Sequence, residues 1–169
     1  MDQPTELSIA RPIEFPYFGP FIPVRRGTRG IAALTALGCL AVLTIAVLLK
    51  PDPRGYGTHE ALFGAWPCGF ILTTGLPCPT CGMTTSFAEL MHGHPIKAFI
   101  VQPAGEVLCL ATIGGLILSL YILVRGRAPV VNWERLGPIR LTVGFGLMLF
   151  AGWGFKMAHG LLAGSLPAR

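Results

Sequence analysis

The sequence predicts an all-α membrane protein with about three transmembrane helices and an interfacial or re-entrant segment, rich in cysteine, between the first two. Two observations lead to this fold class. The charged fraction is 12%, about half of the roughly 25% that is typical of a soluble domain. Three apolar stretches approach the length of about 20 residues that a helix needs to cross the hydrocarbon core of a bilayer.

The predicted spans differ in composition. The first, residues 31–49, carries no charge and is followed by Lys-Pro-Asp-Pro, which favours a signal anchor over a cleavable signal peptide. The second covers residues 105–124, and the third covers residues 139–155 with Trp153 as an interface anchor. A fourth span over residues 61–76 is the alternative, but this stretch is short and contains a proline, so we expect a re-entrant or interfacial segment.

Arginine residues indicate the orientation of the spans. Eight of them precede the first span or lie between the second and third: Arg11, Arg25, Arg26, Arg29, Arg125, Arg127, Arg135 and Arg140. Positive residues accumulate in cytoplasmic loops, so we expect the N-terminus in the cytoplasm and residues 50–98 outside it. Because the basic residues flank apolar runs instead of lining one surface, nucleic acid is not an expected partner.

The chain divides into residues 1–30 and a membrane domain, residues 31–169. Five prolines and several aromatic residues disfavour a regular helix in the first part. We expect a flexible cytoplasmic arm on the headgroups, with docking to a partner as the alternative. In the third span, four glycines would let another helix pack closely, within the chain or from another subunit. They are Gly144, Gly146, Gly152 and Gly154.

The chemically distinctive segment, residues 61–103, contains Cys68, Cys78 and Cys81. Apolar side chains then recur at helical spacing, at Met83, Phe87, Leu90 and Met91. A glycine and a proline end or bend this helix shortly afterwards. The cysteine pair is therefore expected at the N-terminal end of a short amphipathic helix, where the helix dipole stabilises a thiolate. The two other cysteines, Cys39 and Cys109, lie inside spans and are expected to be small apolar residues.

Three roles for the cysteine segment stay open. In the first, Cys78 and Cys81 are the dithiol of an oxidoreductase, with Cys78 as the more exposed nucleophile. In the second, the chain is a metal-binding or transport protein in which Cys68 joins this pair as a third metal ligand, with zinc as the candidate cofactor. His92 would lie about 16 Å from Cys81 along a continuous helix, so it could be the fourth ligand only if the helix breaks. In the third, a disulfide from Cys68 to Cys78 or Cys81 staples the segment.

We favour a non-enzymatic accessory or structural subunit of a membrane complex, in which the cysteine segment is clipped by a disulfide or a metal. Its expected partners are the lipid bilayer and other membrane subunits. The reason is that helices suited to packing are present without a complete catalytic constellation. Glu106 is a further candidate site residue, because an acid within a span is a functional hint. At the start of the second span, however, it also complements the helix dipole.

The cysteine segment resembles a bacterial family of small membrane proteins that is known only as a domain of unknown function. The family pattern is a Cys, then Cys-Pro-Gly-Cys-Gly, a hydrophobic residue and Thr-Arg, followed by a helix, a turn with glycine and an Asn-Pro. The matching residues here are Cys68, Gly75, Cys78, Pro79, Cys81, Gly82, Thr84, Gly93 and Pro103. The resemblance covers roughly residues 62–124. It implies a bacterial cytoplasmic membrane location and a shared cysteine segment, but no activity.

Three residues depart from the family pattern. Thr80 replaces the usual glycine, Thr85 the usual arginine and Gln102 the usual asparagine. The missing arginine removes a fixed positive charge next to the thiols, which weakens the expected stabilisation of a thiolate.

Overall fold

The computed structural model describes residues 18–55, 57–58, 68–131 and 137–162. In chain order the elements are β1 (Phe18–Pro23), α1 (Arg26–Leu48), α2 (Gly69–Thr74), α3 (Met83–Met91), α4 (Pro95–Val101), α5 (Pro103–Arg125), β2 (Arg127–Val131) and α6 (Pro138–Leu162). Helices α1, α5 and α6 are long and apolar enough to cross a membrane by length and composition. The predicted fold class, mostly helical with three candidate spans, is confirmed, and the chain has the character of a multi-pass membrane protein.

The long helices extend beyond the apolar stretches that predicted them. Helix α1 begins at Arg26 instead of residue 31, and α6 ends at Leu162 instead of residue 155. A hydropathy pattern marks the apolar part of a helix, whereas the helix itself continues as long as its backbone hydrogen bonds do. The arginines at the start of α1 are therefore part of the helix.

Helix α1 packs mainly against α5. The buried residues of α1 are Ala32, Ala36, Leu43 and Ala46. On α5 the buried positions beyond its first turn are Cys109 and Ser119. Helices in a bilayer associate through close packing, because the lipid is as apolar as their side chains, and small residues let the two backbones approach.

Helix α6 approaches the rest of the described chain closely at Gly152. A Cβ atom there would lie 2.9 Å from Cδ of Pro103, at the start of α5. A Cβ at Gly144, Gly146 or Gly154 would meet no described atom within 4 Å. Of the four glycines expected to permit helix association, Gly152 is thus the one that does so within the described residues.

The short helices α2, α3 and α4 occupy the segment between the first two spans. Residues 61–67 of the predicted re-entrant stretch lie outside the described residues, and α2 follows them. Helix α3 confirms the amphipathic helix predicted after the cysteines, and Pro95 begins a new helix, α4, at its first position. The buried Ser86 hydroxyl of α3 donates to the carbonyl oxygens of Ala98 (2.9 Å) and Gln102 (3.0 Å), which ties α3 to α4 and to the start of α5.

Strands β1 and β2 form an antiparallel two-stranded sheet in which Phe21 pairs with Pro129 and Ile22 with Ala128. Of the arm predicted for residues 1–30, residues 1–17 lie outside the described residues, and the remainder contains β1 and the start of α1. Pairing with β2, more than 100 residues away in the sequence, gives the backbone N–H and C=O groups of β1 their hydrogen-bond partners. No local pattern in the arm predicts this pairing. One strand precedes α1 and the other follows α5, so the sheet lies at one end of the helices and the cysteine segment at the other.

Candidate functional site

Cys78 and Cys81 are held together by a tight turn. The Cys81 amide donates to the Cys78 carbonyl oxygen at 3.0 Å, and Pro79 occupies the second position of this turn, where its fixed φ is favourable. Gly82 follows with φ +97° and caps the N-terminus of α3. The chain can enter the helix in this way because glycine adopts positive φ without a steric penalty.

The turn brings three sulfur atoms together. Cys78 Sγ and Cys81 Sγ lie 3.0 Å apart as free thiols. Cys68, which immediately precedes α2, completes the cluster, and all three sulfurs lie within 4.8 Å of one another. We call Cys68, Cys78 and Cys81 the thiol cluster. The sequence indicated these three residues together, and the structure places them together.

The two cysteines of the turn differ in environment. Cys78 is partly exposed, whereas Cys81 is only 7% exposed. Burial disfavours the Cys78 thiolate, but hydrogen bonds from the Cys81 thiol and the Thr80 hydroxyl outweigh it and lower the pKa of Cys78 to about 7. A hydrogen bond from Cys68 acts in the same direction. For Cys81, burial and then the hydrogen bond to Cys78 raise the pKa.

Two side chains from distant parts of the sequence donate hydrogen bonds to the backbone of residues 77–81, which we call the cysteine loop. The amide Nε2 of Gln102 donates to the carbonyl oxygen of Pro79 at 3.1 Å. From α6, the Trp153 indole donates to Pro77 at 2.7 Å. These contacts hold the loop from both sides, at the junction of α4 with α5 and at the C-terminal half of α6.

Lys156, one turn after Trp153, places a cation beside the thiol cluster. Its Nζ donates to the carbonyl oxygen of Cys81 at 3.0 Å. Thr85 occupies the position where the family pattern has an arginine, and its buried hydroxyl lies 2.8 Å from that of Thr58. Lys156 of the third span therefore supplies, next to the cysteine loop, the positive charge that is missing at residue 85.

Sequence reasoning did not assign these loop contacts, although each residue carried a signal. Gln102 stood out as a departure from the family pattern, and Trp153 was interpreted as an interface anchor. Lys156 had no predicted role. A lone lysine near the end of an apolar span and a tryptophan one turn before it indicate a polar contact at that depth.

His92 and Glu106 lie outside the thiol cluster. His92 is the C-terminal cap of α3, and its Nδ1 lies 2.7 Å from the carbonyl oxygen of Ala88. Glu106 lies in the first turn of α5, where its carboxylate complements the positive end of the helix dipole. Among the described residues, no His, Asp or Glu joins the three sulfurs as a metal-ligand group.

An open pocket of about 340 Å³ lies in front of the thiol cluster. Besides the three cysteines it is lined by Gly57, Thr80, Gly82, Met83, Thr84 and Thr85. The pocket is large enough to admit a small thiol, an ion with its water ligands or a cysteine side chain of another protein. The cluster therefore combines a partly exposed sulfur of lowered pKa, a buried partner sulfur and access from outside.

Comparison with known proteins bears on part of this site. No curated protein and no solved structure matches the chain. The resemblance to a family of unknown function is confirmed over the stretch from the first cysteine of the cluster into α5. Residues 68–117 match the model of the family described as Protein of unknown function (DUF2752).

Proposed function

We propose that this protein is a membrane thiol–disulfide oxidoreductase that uses Cys78 and Cys81. The observation that carries the proposal is that the two thiols differ in exposure and in pKa although their Sγ atoms lie only 3.0 Å apart. Cys78 is partly exposed and its pKa is lowered to about 7, while Cys81 is buried and its pKa is raised. An accessible thiolate beside a buried thiol is the arrangement that thiol–disulfide exchange requires.

The exchange balances with these two residues alone. When the pair is oxidised, a substrate thiolate attacks Cys78 Sγ, and the Cys78–Cys81 bond breaks with Cys81 leaving as a thiolate that takes up a proton. A second substrate thiolate then attacks the substrate sulfur bound to Cys78, and Cys78 leaves as a thiolate. The substrate gains a disulfide, and the pair holds the two electrons. A low pKa at Cys78 stabilises the reduced pair, which favours oxidation of substrates.

The distribution of arginines supports a non-cytoplasmic position for the thiol cluster. At the sheet end of the helices the described basic residues are Arg25, Arg26, Arg29, Arg125, Arg127 and Arg140. Positive residues favour the cytoplasmic side. The cysteine loop lies at the other end, so in a bacterial cytoplasmic membrane it would face the compartment where disulfides persist.

We expect Cys78→Ser to reduce the oxidation of a reporter dithiol peptide to the background rate. The measurement uses the purified protein in detergent, first oxidised and then mixed with the peptide. Cys39→Ser is the matched control, since it removes a thiol inside α1 that lies outside the cluster, and it should retain wild-type activity. Unchanged oxidation by Cys78→Ser would contradict the proposal.

A metal site is the second candidate, favoured by the position of Cys68, which a two-cysteine exchange does not need. Zn²⁺ binds thiolates at about 2.3 Å, so sulfurs on one tetrahedral ion lie about 3.8 Å apart. The described sulfurs lie 3.0 Å apart in one pair and within 4.8 Å in all pairs. Small side-chain movements would therefore accommodate an ion, with water from the open pocket as a fourth ligand.

Metal content and thiol mapping separate the candidates. A metal site predicts about one zinc per chain in protein purified without chelator, and loss of that zinc in Cys68→Ser; a ratio near zero would exclude it. An exchange pair predicts reversible bridging of Cys78 to Cys81. Stable bridging of Cys68 in every molecule, with no turnover, would instead support the accessory role with a structural staple.

A further inference from the structure

A second cavity adjoins the thiol pocket. Its volume is about 280 Å³, and it is lined by Val42, Ile45, Ala46, Leu49, Met83, Thr84, Phe87 and Leu108. The first four residues lie at the C-terminal end of α1, and Leu108 lies near the start of α5. Met83 and Thr84 line both this cavity and the pocket in front of the thiol cluster. The two spaces are therefore neighbours with a common wall.

The lining indicates a ligand that is apolar and arrives from the lipid. Seven of the eight lining residues are apolar, and the Thr84 hydroxyl is the polar side-chain group among them. Val42, Ile45 and Leu108 are each more than 40% exposed on the surfaces of two candidate spans. In a membrane such side chains contact acyl chains, so the cavity opens towards the bilayer and not towards water alone.

We propose that this cavity binds the ring of a membrane-soluble quinone, which accepts the electrons of the Cys78–Cys81 dithiol. The inference rests on the proposed function, because an oxidoreductase that forms disulfides must pass two electrons to an acceptor in each cycle. A quinone ring is apolar and flat, its tail dissolves in lipid, and its two oxygens accept hydrogen bonds of the kind that Thr84 offers. The aqueous pocket then serves the thiol substrate and the apolar cavity serves the oxidant.

The transfer balances as a two-electron step. The Cys81 S–H bond breaks, and the Cys78 thiolate and Cys81 sulfur form the disulfide bond. The two electrons pass to the quinone, whose two carbonyl oxygens take up one proton from Cys81 and one from water and become the hydroxyls of the hydroquinone. Met83 has an unbranched side chain with three rotatable bonds, and its movement would join the cavity to the space in front of the sulfurs.

The test uses Val42→Phe and Val47→Phe, two substitutions on α1 at residues that are each 47% exposed. Val42 lines the cavity and Val47 does not. Reduced protein in detergent is mixed with decylubiquinone, and both quinone absorbance and disulfide formation are followed. We expect one hydroquinone per disulfide in the wild type. Because the phenyl ring fills the cavity, Val42→Phe should raise the half-saturating quinone concentration about tenfold, while Val47→Phe stays at the wild-type value.

Reoxidation by a soluble disulfide, cystamine, distinguishes failure of the quinone site from failure of the proposed function. It should proceed equally in the wild type and both variants, which also demonstrates that Val42→Phe folds with a working thiol pair. If cystamine oxidises the pair but decylubiquinone does not, or if the two phenylalanine variants respond alike to quinone, the quinone site is wrong. A cavity that retains a bound lipid which decylubiquinone does not displace also overturns it. If neither oxidant forms the disulfide, the proposed function itself fails.

Discussion

Replacing Cys81 by alanine is expected to raise the pKa of Cys78 from about 7 towards the ordinary value of about 8.5 for a free thiol. The Cys81 thiol is the largest of the hydrogen-bond donors that lower this pKa, and burial, which opposes them, remains. Only the thiolate reacts with an alkylating reagent, and its fraction rises with pH through the pKa. At pH 7 that fraction should fall from about one half towards about 3%, the value at a pKa of about 8.5, which slows alkylation by up to roughly fifteenfold.

The measurement is the rate of Cys78 alkylation against pH, with each cysteine identified by mass spectrometry. In the wild type the rate should rise through a midpoint near pH 7, and Cys81 should react far more slowly because burial and its raised pKa both oppose reaction. Cys109→Ala is the matched control, since Cys109 is a buried thiol of α5 outside the cluster. A midpoint for Cys78 that is the same with and without Cys81 would contradict the hydrogen-bond explanation.

Gly82→Ala is expected to destabilise the protein by about 2–5 kcal/mol and to disorganise the cysteine loop. Gly82 has φ +97°, where a Cβ costs about 1–2 kcal/mol. That Cβ would also lie 2.6 Å from Lys156 Nζ and 2.7 Å from the carbonyl oxygen of Gly55. The lysine side chain can move, but the Gly55 carbonyl is backbone, so overpacking adds about 1–3 kcal/mol.

Gly93→Ala provides the matched control for Gly82→Ala. Gly93 has φ +82°, and a Cβ there would meet nothing within 4 Å. It therefore carries the cost of positive φ without the collision. The thermal midpoint in detergent should fall distinctly further for Gly82→Ala than for Gly93→Ala, and the rapid alkylation of Cys78 should be lost only in the former. Equal thermal midpoints for the two variants would show that the close contacts at Gly82 do not contribute to the loss of stability.

The contacts of α6 explain why the thiol cluster depends on more than the family segment. Residues 68–117 contain all three cysteines and Gln102, but Trp153 and Lys156 lie beyond them. Both bind carbonyl oxygens of the cysteine loop, at Pro77 and Cys81. A third span packed at Gly152 against Pro103 is what brings these donors to the loop. In this chain the span also supplies the cation that Thr85 does not.

Local pattern in the sequence was sufficient for the three long helices, for α3 and for the closeness of Cys78 and Cys81. Each of these features depends on residues that are close in the sequence. The long helices follow from the length of an apolar stretch, α3 from a 3.6-residue period, and the cysteine pair from the Cys-Pro-Thr-Cys turn. The position of Cys68 beside this pair could be suggested by the sequence but not determined, since nine residues lie between it and Cys78 and no local rule fixes their path.

Only the tertiary structure decided the unequal environments of the two thiols and the polar contacts of the loop. Cys81 is only 7% exposed although no local pattern buries it, and the Gln102, Trp153 and Lys156 contacts join residues 23 to 76 positions apart. The pairing of β1 with β2 has the same character. Such contacts depend on how helices are placed relative to one another, and the free energy that places them is distributed over whole packed surfaces, not over any short stretch of sequence.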